Sequence, residues 1–460
     1  MSTPFLIFSL VLAIVLILIV ITKLKVNPAI ALILGALLLG FMARIPMMDV
    51  VGEDGVVTTS GLVNVINNGF GSMLGNIGFP IGFGIILGQL VSDCGGANVI
   101  ADKLVKIFPD SKAIYAVAFA GFVLSIPVFF DVTFVILIPI GVALMKKINK
   151  GLAYIVGAIS IGAGVAHTLV PPTPNPLVAP EYFGFDLGIM IAAGILVGVP
   201  MVIIGVTIFV KIMDRGLWNP KKDENGNGLS VDEMVIPEKV PGFFIALLPI
   251  LVPIILILIN TVAGVITDKP PVILEFLGQK TMSMLIGTLT AFIVAIKYMG
   301  LKGAEKSSTD ALKSAGIVFL ITGAGGAFSA VITASGVSEA IKDLVSGISG
   351  NVVVVMIIAW LLGVMFRQVT GSGTVASLTT MSIMTSVAAV TAIHPVFIAL
   401  ACLDGALFGC TVNDSGFWIV SNMSGFEVSG GIKTYTLGQA IASTVGIVII
   451  CAAGGISCLL

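Results

Sequence analysis

The chain has 460 residues, of which 57% are hydrophobic and only 10% charged. Soluble domains carry about 25% charged residues, so a water-soluble globule of this size is excluded and lipid is the implied solvent. With 23 basic residues against 24 acidic ones there is no positive surface for nucleic acid. The five cysteines (Cys94, Cys402, Cys410, Cys451 and Cys458) show no metal-ligand spacing and read as small buried hydrophobes.

A membrane-spanning helix needs about 20 apolar residues. In chain order the candidate spans are 4–22, 26–43, 77–92, 152–168, 187–210, 242–260, 281–297, 314–334, 394–410 and 435–455. The first lacks a basic leader and a small-x-small cleavage site, so it is read as an uncleaved span. Two longer stretches, 113–146 and 351–393, are apolar but interrupted mid-way. The one long hydrophilic stretch, 211–240, divides the chain almost in half. It yields an N-terminal membrane repeat (1–212), a linker (213–240) and a C-terminal membrane repeat (241–460). Asp223, Asn225, Asn227 and Gly228 give the linker a faint calcium-loop look, but Met234 stands where the bidentate Glu is needed. A flexible solvated loop is the better reading.

Basic residues favour the cytoplasmic side. Lys23 and Lys25 follow the first span, and Glu53 and Asp54 lie after the second. Lys103, Lys106 and Lys112 precede the stretch 113–146, while Lys146, Lys147 and Lys150 follow it. One placement satisfies them all: both termini outside, the linker inside, and 113–146 entering and leaving from the cytoplasm as a re-entrant hairpin. The stretch 351–393 then enters from outside. The expected fold is all-α and polytopic, with two inverted-topology repeats, each holding a re-entrant hairpin and a broken transmembrane helix. Gly82, Gly84, Gly95, Ile100 and Asp102 recur as Gly323, Gly325, Gly336, Ile341 and Asp343, each 241 residues on. FFDVT at 129–133 recurs as FRQVT at 366–370, and Gly162, Ala163 and Thr168 as Gly405, Ala406 and Thr411.

Broken backbone at membrane depth is costly unless protein or water satisfies it, so it marks a cavity. Four segments qualify. In SIPVFFDVTF, 125–134, Pro127 breaks a helix and Asp131 is an acid in an apolar setting: a proton carrier, a hydroxyl acceptor or a brace for the tip. In HTLVPPTPNPLVAP, 167–180, four prolines within 171–176 end the preceding span. His167 stands at that break as a proton carrier or a helix cap. In RQVTGSGTVAS, 367–377, Arg367 is an isolated cation beside Thr370, Gly371, Ser372, Gly373 and Thr374. Their amides and hydroxyls suit a carboxylate, although Arg367 could instead tie the hairpin to the scaffold. In TVNDSGFW, 411–418, Asn413 and Asp414 offer polar ends, and Asp404 is a further intramembrane acid. No HExxH, GxSxG or paired-His constellation is present, which argues against an enzyme.

Four motifs together resemble the gluconate permeases (gluconate:proton symporters) of the ion-transporter superfamily: IPVFFDVTFVILIPI at 126–140, HTLVPPTPNP at 167–176, RQVTGSGTVA at 367–376 and VNDSGFW at 412–418. The resemblance covers nearly the whole chain. It implies proton-driven uptake of a sugar acid through a bacterial inner membrane, with the proton as coupling ion and no other cofactor. Gluconate-type members read PPHPGP in the second motif, where this chain has Thr173 and Asn175, and carry His before VND, where it has Cys410. D-serine or a four-carbon sugar acid therefore stays open as substrate. The expected binding set is Arg367, Thr370–Thr374, Asp131, Thr173, Asn175, Asn413 and Asp414, with Asp131, His167 or Asp404 moving the proton. A cation/proton antiporter using Asp131, Asp404 and Asp414 is the competing reading. A homodimer is left open.

Overall fold

The computed structural model describes residues 1–24, 26–52, 55–148, 150–225, 239–267, 270–337, 339–340, 351–389, 391–411 and 413–457. Lys25, Glu53, Asp54, Asn227, Gly228, Met234, Ile341, Asp343, Val412 and Cys458, named above, lie outside them.

Long apolar runs become helices because in lipid only a helix satisfies its own backbone. The first half comprises α1 (Thr3–Thr22), α2 (Pro28–Met42), a small hairpin of β1 (Val50–Val51) and β2 (Val57–Thr59), α3 (Leu62–Asp93), α4 (Gly96–Ile107), α5 (Ala113–Leu124), α6 (Phe130–Ile148), α7 (Leu152–Leu169), α8 (Pro174–Phe183) and α9 (Leu187–Ile212). After a short α10 (Pro220–Asp223) come α11 (Phe243–Ile266), α12 (Val272–Gly278), α13 (Lys280–Ala334), α14 (Val352–Thr370), α15 (Gly373–Ala388), α16 (Pro395–Leu407), α17 (Ser415–Ser424) and α18 (Val428–Ser457). Among the described residues, eight helices are long and apolar enough to cross a membrane.

The interrupted stretches fold as hairpins, α5–α6 and α14–α15. With 12 residues, α5 spans about 18 Å, well short of a hydrocarbon core of about 30 Å, so the first hairpin turns back inside. Helices α8 and α17, of 10 residues each, are also too short to cross alone and continue the broken spans that α7 and α16 begin. The ends of the helices sort into two sets. The Lys150–Asp214 ion pair puts the open end of the first hairpin beside the C-terminus of α9. The Phe185–His394 ring contact, 5.9 Å between centroids, puts the far end of α15 beside the N-terminus of α9. The hairpins thus open at opposite ends of α9.

Among the described residues, hairpin, broken helix and long last span follow one another in both halves, and several special residues recur with them. Gly95 and Gly336 both take left-handed backbone, as do Gly184 and Gly425 at the ends of α8 and α17. A Cβ on Gly162 of α7 would meet the Ala118 carbonyl of α5 at 1.9 Å. One on Gly405 of α16 would meet the Trp360 carbonyl of α14 at 2.2 Å. Each hairpin therefore crosses its broken helix at a backbone-to-backbone contact that only glycine permits, the usual device for packing helices where no hydrophobic drive separates protein from lipid. The FFDVT/FRQVT match does not survive. FFDVT opens α6, on the second arm of its hairpin, whereas FRQVT closes α14, on the first arm. Glycine-rich apolar sequence permits such chance alignments.

Three boundaries also differ from expectation. The span 77–92 is the end of the 32-residue α3, whose first half is rich in Asn, Ser and Gly. Asn68, Ser72 and Asn76 line a cavity shared with α8, α13 and α15, so they need no lipid compatibility. The spans 281–297 and 314–334 join in α13 through a break at Gly300, φ 76°. The start of the linker is a docked segment: Asp223 is fully buried, although its position in the hydrophilic stretch suggested solvent.

Candidate functional site

The two hairpin tips and the two helix breaks meet around a cavity of about 200 Å³. Four helices begin at its wall: α6 with Phe130 and Asp131, α8 with Asn175, α15 with Gly373 and Thr374, and α17 with Ser415 and Gly416. The first amides of a helix have no intrahelical acceptor, and its N-terminal end carries partial positive charge. Four such ends and one guanidinium around a small cavity make a strongly anion-seeking environment. Two of the ends carry the protein's own carboxylates, Asp131 in the first turn of α6 and Asp414 as the cap of α17. The starts of α8 and α15 carry none.

Arg367, buried in the last turn of α14, is held on several sides. Its Nη1 donates to the Gly371 carbonyl at 2.9 Å. Its Nη2 donates to Asp414 Oδ2 at 2.5 Å and to the Tyr435 hydroxyl at 3.2 Å. The Tyr435 hydroxyl in turn donates to Asp414 Oδ2, and Asp414 Oδ1 accepts the Gly416 amide at 2.9 Å. Nε alone has no partner among the described residues. The guanidinium therefore spends most of its donors on the protein, and the Gly373 and Thr374 amides beside it, which open α15, have no acceptor among the described residues. Gly371 has φ 73°, which ends α14 and turns the chain into α15. Ser372 caps α15 by accepting the Val375 amide at 3.3 Å.

The second break is stitched to this hairpin. Gln368 Nε2 donates to the Gly409 carbonyl at 2.7 Å, and Asn413 Nδ2 donates to the Gln368 carbonyl at 2.9 Å. Cys410 Sγ donates to the Arg367 carbonyl at 3.3 Å. Asn413 and Thr370 thus brace the backbone and do not line the cavity.

The first-half wall is different. Asp131 is half-buried and accepts no hydrogen bond from the described residues. His167, in the last turn of α7, packs its ring 5.6 Å from that of Phe129, and its Nδ1 has no partner among the described residues. Asn175 lines the cavity, and its Oδ1 has no partner among the described residues. Thr173 instead turns inward on its own break, with Oγ1 2.8 Å from the His167 carbonyl and 2.9 Å from that of Val170. It satisfies backbone acceptors freed by the prolines and does not line the cavity.

Asp404 is fully buried but faces away from the cavity. A Cβ on Gly446 of α18 would sit 2.4 Å from Asp404 Oδ1 and 2.5 Å from Met201 Cε of α9. Both its carboxyl oxygens lack partners among the described residues. Asp131, Asp404 and Asp414 therefore do not share one site. Sequence reasoning missed Tyr435 and Gln439, both buried and both lining the cavity. An amide inside the span 435–455 was the available signal for Gln439.

Comparisons with known proteins bear on this arrangement. A family model described as "GntP family permease" matches residues 5–455. A gluconate permease of Pseudomonas aeruginosa is 30% identical over 438 residues, 94% of this chain and 94% of that protein. The Gnt-II system L-idonate transporter of Escherichia coli is 28% identical over 425 residues, 90% of this chain and 94% of that protein. Among solved structures, the Alcanivorax borkumensis YdaH transporter superposes with a TM-score of 0.65 at 15% identity, over 94% of this chain and 99% of that one. That last likeness is one of fold alone.

Proposed function

Because the chain belongs to the GntP family of permeases, we propose that it takes up a sugar acid such as gluconate or idonate across a bacterial inner membrane by proton symport. The observation that carries this reading is the contrast within one cavity. The amides of Gly373 and Thr374 that open α15 lie beside Arg367 on one wall; on the other stand Asp131, His167 Nδ1 and Asn175 Oδ1, none of which has a hydrogen-bond partner among the described residues. The substrate carboxylate is bound at the start of α15, where helix dipole and guanidinium add. Its hydroxyls reach Asn175 and Asp131. Asp131 is the proton acceptor of choice because it lines the cavity without a hydrogen-bond partner; His167 is its nearest competitor. Transport moves the two hairpins and breaks relative to the outer helices, exposing the cavity first to one side and then to the other. The placement of the linker in the cytoplasm, with both termini outside, belongs to the same proposal.

A cation/proton antiporter would pool Asp131, Asp404 and Asp414, and Asp404, buried against α18 away from the cavity, speaks against it. Uptake of labelled gluconate into vesicles, with and without an imposed inward proton gradient, is the test. Gradient-driven accumulation is expected, and competition by idonate, D-serine and four-carbon sugar acids ranks the substrates. Sodium-driven proton release without organic uptake would overturn the proposal.

A further inference from the structure

We propose that Asp223 and Lys433 form a positioning pair that docks the start of the linker on the α17–α18 turn and thereby holds Tyr435 in place against Asp414 and Arg367. The inference rests on the reading of that cluster as part of the transport site.

Asp223 ends α10, outside the spans, and its side chain is fully buried. Lys433 Nζ reaches Asp223 Oδ1 at 3.0 Å and Oδ2 at 2.8 Å. Oδ1 also accepts the Ser429 hydroxyl at 2.7 Å, and Oδ2 the Asn219 amide at 2.7 Å. Burial pushes the Asp223 carboxyl up, but Lys433, the Asn219 amide and Ser429 outweigh it and hold it below the usual carboxylate range. The Asp223 carboxylate is therefore ionised at neutral pH.

Backbone contacts complete the dock. The Glu427 amide donates to the Asp223 carbonyl at 2.9 Å, and the Asn225 amide to the Gly425 carbonyl at 2.9 Å. Trp218 stands edge-on to Phe426 with centroids 4.8 Å apart. At Gly430 a Cβ would lie 2.3 Å from the Asp223 carbonyl, so the approach requires glycine.

Lys433 belongs to a π-helical turn, Ile432–Thr436, inside α18. Such a turn carries one residue more than an α-turn and recurs at functional sites. Here it lets Lys433 face the linker while Tyr435, two residues on, faces the cavity and bonds to Asp414 and Arg367. Thr436 Oγ1 closes the turn on the Cys410 carbonyl at 2.5 Å. A buried ion pair adds little net stability over apolar packing, but losing one partner strands a buried charge, so its use is to select one arrangement of the segments it joins.

The test is a double-mutant cycle of Asp223→Asn and Tyr435→Phe in purified protein and in vesicles. Each single change should raise KM for uptake about five- to tenfold with maximal rate within about twofold, and the double variant should be no worse than either single one. Asp223→Glu should restore KM. Thermal unfolding of the same four proteins reads the coupling without substrate, so the inference stays testable if the sugar acid proves wrong. If Asp223→Asn does not reach the membrane, Lys433→Arg, which keeps the charge and shifts its geometry, replaces it in the cycle. Additive effects of linker and Tyr435 changes in unfolding, or an unchanged KM, would overturn the inference.

Discussion

The two walls of the cavity are built from the same sequence of elements yet treat their polar atoms in opposite ways. On the second-half wall most polar side chains are engaged: Arg367, Asp414 and Tyr435 bond to one another, and Gln368, Asn413 and Cys410 lace the break to the hairpin, while Gln439 Oε1 and Arg367 Nε have no partner among the described residues. On the first-half wall the break looks after itself through Thr173, and among the described residues His167 Nδ1, Asn175 Oδ1 and the half-buried Asp131 have no hydrogen-bond partner. A buried polar group without a partner costs about 1–3 kcal/mol, so retaining several in one place is a cost with a use. On the function proposed above, the second-half wall offers the braced guanidinium and the amides that open α15 to the carboxylate, and the first-half wall offers its side-chain atoms to the hydroxyls and the proton.

The largest effect should come from the second-half wall. Arg367→Ala strands the Asp414 carboxylate and should lower stability by about 3–5 kcal/mol as well as abolish uptake. Adding Asp414→Ala should recover much of the melting temperature but none of the uptake. Recovery of uptake in the double variant would mean that the pair is only a brace. Next comes the open wall. Asp131→Asn breaks no hydrogen bond and should leave melting nearly unchanged. It should cut gradient-driven accumulation about tenfold or more, with counterflow exchange within about twofold. Equal loss of both activities would move Asp131 from proton transfer to substrate binding. The smallest effect should be that of Thr173→Val, which removes one hydroxyl from the break. A stability loss of about 1 kcal/mol with transport kinetics within about twofold is expected, and a changed substrate preference would return Thr173 to the binding site.

Much of this cavity was legible in the chain. Asp131, His167, Asn175, Arg367 and Ser372–Thr374 stood out because polar residues and prolines in apolar runs are expensive unless they line something. Asp404 was equally conspicuous yet points elsewhere. Ala406 and Leu407, two and three residues on, line the cavity, and at 3.6 residues per turn those offsets rotate a side chain by about 200–300°. Tyr435 was hidden because it follows a polar turn, where another hydroxyl carries no signal. Asp223 was read as part of a solvated loop because it sits in the hydrophilic run NPKKDENG; the cation that holds it buried, Lys433, is 210 residues away.

The sequence by itself determined that the chain lives in lipid, that two hairpins and two broken helices interrupt its spans, and that polar residues gather at those interruptions. These follow from local composition, since helix formation in lipid and its rupture by proline or glycine are decided within a few residues. Only the tertiary structure decided which polar atoms are spent. Arg367 meets Asp414 and Tyr435 across 47 and 68 residues, and such pairings depend on how the helices cross. A site is defined as much by the bonds already made as by the residues present.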